Sequence, residues 1–79
     1  GRGMMKGRAG DLAGSVDDLS RAIAIAPYAA DAYVNRAAAY YQLRQFDRAA
    51  RDLEVAEGLG ARLDPRFVDA LARALGGGR

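Results

Sequence analysis

Few residues in this chain could do acid–base or nucleophilic chemistry, and their spacing argues against catalysis. The serine hydroxyls are Ser15 and Ser20, and the chain has no histidine and no cysteine. The commonest general base and the thiolate nucleophile are therefore both missing. Asp17 and Asp18 are adjacent, but neighbours on a helix diverge by roughly 100° and do not share a proton. Met4-Met5 suits core filling better than metal binding. The expectation is a protein that is not an enzyme, with no cofactor and no metal.

Binding chemistry is the remaining option, and charge limits the partner. Twelve basic residues stand against ten acidic ones, for a net charge of +2. The two signs are interleaved, which reads as a solvated helical surface. Nucleic-acid binding would need a one-sided basic stripe with stacking aromatics, so no nucleic acid is expected. No apolar run approaches the ~18 residues of a membrane span, and Met4-Met5 is too short for a signal-peptide core. No membrane partner is expected, and the lack of cysteine fits a cytoplasmic, reducing setting.

The elements that would position any site are helices. At 79 residues the chain holds one domain at most. Much of its 51% hydrophobic content is alanine, the best helix former and a poor source of apolar area. Tyr33, Ala37, Tyr40 and Leu43 recur at helical spacing, and so do Phe46, Ala49, Leu53 and Ala56. A short turn around Arg44-Gln45 makes this pair an antiparallel hairpin. Asp47 with Arg51 and Arg48 with Asp52 are expected on the outer face of its second helix.

Before the hairpin, residues 1–9 read as the end of one helix, Gly10 as its left-handed stop and Asp11 as the cap of the next. That next helix, residues 11–26, has Leu12, Ser15, Val16, Leu19, Ala22, Ile23 and Ala26 on one face, and Pro27 ends it. Gly58 and Gly60 break the hairpin's second helix, about residues 46–59. Asp64-Pro65 starts a last helix over 65–75, striped by Phe67 or Val68, Leu71, Ala74 and Leu75. Residues 76–79 are expected as a flexible tail.

The two halves repeat at an interval of 34 residues. Leu12 falls on Phe46, Ser15 on Ala49, Leu19 on Leu53 and Ala22 on Ala56. With Gly10, Pro27, Tyr33, Ala37 and Tyr40 in their slots, residues 3–61 resemble the tetratricopeptide repeat. The resemblance implies an all-α fold: helix-turn-helix hairpins stacked as a short right-handed α-solenoid of about five helices. Residues 1–27 would be a truncated first repeat, 28–61 a second and 64–75 a capping helix, within one domain over 1–75. The leading slot of the first repeat would precede Gly1, as in one end, or a piece, of a longer array. Arg36 replaces a leucine and Arg44 the turn glycine. Ala61 stands in the proline slot, so the second helix is either extended or followed by a looped connection.

The resemblance also implies a scaffold that binds a protein or peptide partner in a concave groove. The groove-facing residues would be Asp31, Val34, Asn35, Ala38, Tyr41 and Gln42, with Met4, Arg8 and Val68 as additions. Val34 and Ala38 stand where the carboxylate clamp of chaperone-tail receptors has lysine and asparagine, so an apolar or helical segment fits better. Tyr41 either offers the partner an apolar ring with a hydrogen-bonding tip or packs on the last helix. The alternative role is self-association as a homodimer, through the poorly covered apolar side of residues 11–26.

Overall fold

A computed structural model describes the backbone of residues 2–76 and the side chains of residues 10–76. The fold is all-α: α1 spans Arg2–Ile25, α2 Ala30–Gln42, α3 Phe46–Gly58 and α4 Pro65–Gly76. Each helix packs mainly on its neighbours in the chain, α2 lying against both α1 and α3, and α4 against α3.

Among the described residues four helices replace the expected five or so, because α1 runs unbroken through Gly10 and Asp11. Magnitudes explain this correction. A glycine inside a helix costs up to about 1 kcal/mol relative to alanine. Restarting a helix after a break carries a nucleation factor on the order of 0.001, or about 4 kcal/mol. Gly10 keeps a negative φ, and Asp11 is exposed mid-helix rather than at a cap. The break comes at Pro27 instead, after Ile25. Tyr33 Oη donates to the Pro27 carbonyl at 2.9 Å and ties this turn to α2.

The next two helices end in the same way. After α2, the Arg44 amide donates to Tyr41 at 3.0 Å and the Gln45 amide to Tyr40 at 2.8 Å. After α3, the Gly60 amide donates to Glu57 at 2.9 Å and the Ala61 amide to Ala56 at 3.0 Å. Both are Schellman closures, which need a left-handed residue just past the helix. Gly60 meets that need at φ 99° without strain, whereas Arg44 meets it at φ 64° with a side chain attached. Gly58 does not break α3 but is its last residue, and residues 61–64 form a looped connection. Asp64 Oδ1 then accepts the Arg66 amide at 2.9 Å and caps α4. Gly76, expected in the tail, is the last residue of α4; residues 77–79 lie outside the described residues.

The core is small and rich in alanine. Ala37 and Ala49 are fully buried between α2 and α3, beside Leu53 and Leu71, and the half-buried rings of Tyr40, Tyr41, Phe46 and Phe67 pack around them. Small residues at the contact let helix axes come close. The positions paired by the 34-residue interval do not share one environment. Ala49 and Ala56 are 0% exposed, while Ser15 and Ala22 are exposed. Among the described side chains of α1, Leu12, Val16, Leu19, Ser20 and Ile23 are half-buried, as is Ala26 just past its end, and no described helix covers the Ser15–Ala22 side. Ile25 is 84% exposed.

Candidate functional site

The six residues expected to face a partner do share one side of α2, since they recur at helical spacing from Asp31 to Gln42. Asp31, Asn35 and Gln42 are exposed, and Val34, Ala38 and Tyr41 are half-buried. The opposite side of α2 is committed to packing: Ala32, Ala37 and Ala39 are buried. Of the three additions, Val68 does not join this face but opens onto the space between α3 and α4. The side chains of Met4 and Arg8 lie outside the described residues.

Tyr41 is not the free ring that its neighbour Tyr40 made plausible. Its ring meets Phe46 and Phe67 edge-on, each at 5.4 Å between centroids. The reason is that α4 packs on α3 and brings Phe67 against the Tyr41 ring. One part of the ring still lines an open groove of about 560 Å³, whose other walls come from α4, with Arg66 and Arg73 on either side of Ala70. The concavity therefore lies at the Gln42 end of the α2 face, and only Tyr41 of the six lines it.

The strongest polar constellation is one that sequence reasoning misplaced. Asp52, expected outside with Arg48, is 4% exposed. Its two carboxylate oxygens accept Arg36 Nε and Nη2, both at 2.7 Å. Arg36 Nη1 donates to Ser20 Oγ on α1 at 3.0 Å. The guanidinium also sits 5.8 Å from the Tyr33 ring centre and 5.7 Å from that of Tyr40. Arg36 thus joins three helices through its guanidinium and not through its aliphatic stem alone. The Asp52 hydrogen bond raises the arginine pKa above its ordinary value, against the opposing effect of burial. A charged group with a raised pKa contributes its full stabilisation below the ordinary value, so the arginine does not weaken this link at any physiological pH.

A signal for this pair existed in the sequence. Arg36 and Asp52 lie equally far on either side of Arg44, and positions mirrored about a hairpin turn face each other. Tyr40 and Arg48 are mirrored in the same way, and the Arg48 guanidinium stands 5.9 Å from the Tyr40 ring centre.

No family model, curated protein or solved structure matches this chain. What the site can do must be read from its own groups. Ser20 is held by Arg36, Ser15 and Asp17 with Asp18 are scattered along exposed α1, and among the described residues no three potential metal ligands converge. Among those residues, too, no helix is long and apolar enough to cross a membrane.

Proposed function

We propose that this chain is a non-catalytic helical-repeat module of tetratricopeptide type, which holds a peptide segment or partner domain on the α2 face. One observation carries the reading. Packing fixes α2 on both flanks, against α1 and α3, yet leaves the side from Asp31 to Gln42 open, with a groove at its Tyr41 end. A rigid helix face with half-buried apolar residues between polar ones is the surface that helical partners use. The paired Schellman closures and the sequential stacking of helices add support for a repeat architecture.

The test is selection of binders from a displayed library of random helical peptides, followed by affinity measurements on variants that keep the wild-type circular dichroism spectrum. Val34→Glu and Ala38→Glu should each weaken binding by about tenfold or more, as charge placed in the centre of an interface does. Asp18→Ser on α1 should change nothing. Failure to recover any peptide that is sensitive to the two α2 substitutions would remove this reading.

A second reading, self-association, is favoured by the exposed Ile25 at the end of α1 and by Tyr28, 75% exposed in the turn that follows it. Sedimentation as a monomer over a wide concentration range disposes of it.

A further inference from the structure

A second open groove, of about 650 Å³, lies between α3 and α4, and no residue of α2 lines it. Leu53 and Leu71, each 4% exposed, form its floor. Val68 and Leu75, 39% and 47% exposed, stand on its α4 wall. Val68, Leu71 and Leu75 recur at i, i+3 and i+7, so the wall is a helical ridge. Every charged residue that lines the groove is acidic: Glu54, Glu57 and Asp69. Asp69 pairs with Arg73 at 3.3 Å, but both side chains are mostly exposed, and such a pair contributes little and exchanges readily.

We propose that this groove docks an amphipathic α-helix from a partner protein, apolar on one face and lined with lysine or arginine along its flanks. Shape selects a helix, because two helical ridges with an apolar trough between them accept a third in ridge-and-groove fashion. Charge selects its sequence. A helix with neutral flanks would strip water from Glu54 and Glu57 without giving them partners, and burying unpaired carboxylates is costly. An acidic helix would be repelled, and a basic one places its cations where the carboxylates already stand. The proposal stands apart from the α2 reading: no α2 residue lines this groove, and Asp69 is the one residue that lines both grooves.

The probe is a fluorescently labelled peptide of about 18 leucine and lysine residues with helical periodicity, long enough to fold once docked. Its controls are a periodic leucine–glutamate peptide and a leucine–lysine peptide of the same composition with the periodicity scrambled. Fluorescence anisotropy at physiological ionic strength should show micromolar binding of the periodic basic peptide alone, with the acidic one at least about 20-fold weaker. Glu54→Gln with Glu57→Gln should lower affinity by roughly five- to tenfold, and Val68→Ser with Leu75→Ser by a similar factor, with the circular dichroism spectrum retained. Asn35→Ala on α2 should leave it unchanged. Equal binding of the scrambled peptide, indifference to the groove substitutions, or loss through Asn35→Ala would each overturn the proposal. Concentration-dependent sedimentation of the chain alone, abolished by the same groove substitutions, would assign the groove to a second copy and overturn it too.

Discussion

Arg36 on α2 and Asp52 on α3 form a two-pronged ion pair, with both nitrogen–oxygen distances at 2.7 Å and side chains 19% and 6% exposed. The fork geometry holds both oxygens of one carboxylate, which a lysine could not do. Because Ser20 accepts the remaining nitrogen, the pair also fixes α1 against the hairpin. Removing one partner leaves the other charge in a site built to exclude water. Asp52→Ala should therefore destabilise the chain by about 2–3 kcal/mol, below the ~3–5 kcal/mol of a fully buried pair because Arg36 keeps some solvent. Arg36→Leu with Asp52→Leu should recover most of that loss, since a buried ion pair and an apolar pair of similar size are often close in stability. Urea denaturation of the single and double variants measures both, and additive losses would show that the two groups act separately.

The two positions that a 34-residue interval equates make a direct comparison. Ala49 is fully buried and Ser15 exposed. Ala49→Leu should overpack the α2–α3 contact and cost about 1–3 kcal/mol. Ser15→Leu should stay within about 0.5 kcal/mol of the parent, as substitutions on open surface do. Thermal melts of the two variants decide the matter, and equal losses would mean that the Ser15 side of α1 is covered in solution.

Arg44 occupies the left-handed position that Gly60 occupies after the following helix. A side chain there costs about 1–2 kcal/mol, part of which glycine gives back as unfolded-state freedom. Arg44→Gly should raise stability by a net ~0.5–1 kcal/mol, a rise in Tm of several degrees for a domain of this size. Gly60→Ala should lower it by a similar amount, and calorimetry of the pair provides the check. The Gly60 position has open space around it, so backbone strain alone sets that loss.

What was legible in the sequence follows from where each signal lives. Asp64-Pro65, Pro27 and the hairpin turn are local chemistry, and the helices start or stop there. Gly10 also looked local, yet helix cooperativity along the whole of Arg2–Ile25 outweighed it. Ser15 and Ala22, grouped by periodicity with the α1 stripe, are exposed, because periodicity marks which residues share a face and not whether another helix arrives to cover it. Asp52 was placed outside because its i,i+4 relation to Arg48 is visible along the chain, whereas its partner on α2 appears only when the hairpin is folded in mind. The six α2 residues share one side of the helix as their spacing alone requires, but the groove at the Tyr41 end of that side depends on α4, whose approach no local pattern encodes.

Tyr41 joins these levels, because it is at once a wall of a groove and a part of the core. Its edge-on contacts with Phe46 and Phe67 link the hairpin to α4, and each such pair adds about 0.5–1.5 kcal/mol beyond area burial. Tyr41→Ala should therefore lower stability by about 3 kcal/mol, within the usual range for truncating a large aromatic, and loosen α4 first. Tyr41→Phe keeps both edge contacts and should cost under about 0.5 kcal/mol. Amide hydrogen exchange separates local from global loss: in Tyr41→Ala the α4 amides should lose protection by more than those of α2 and α3. A variant that melts at the parental temperature with α4 still protected would show that Phe46 and Phe67 close on each other without it. The ring would then be free to serve the α2 face alone. In the expected case, any drop in partner binding by Tyr41→Ala must be compared with Tyr41→Phe before it is assigned to contact, since loss of α4 also removes Arg66 and Arg73 from the groove.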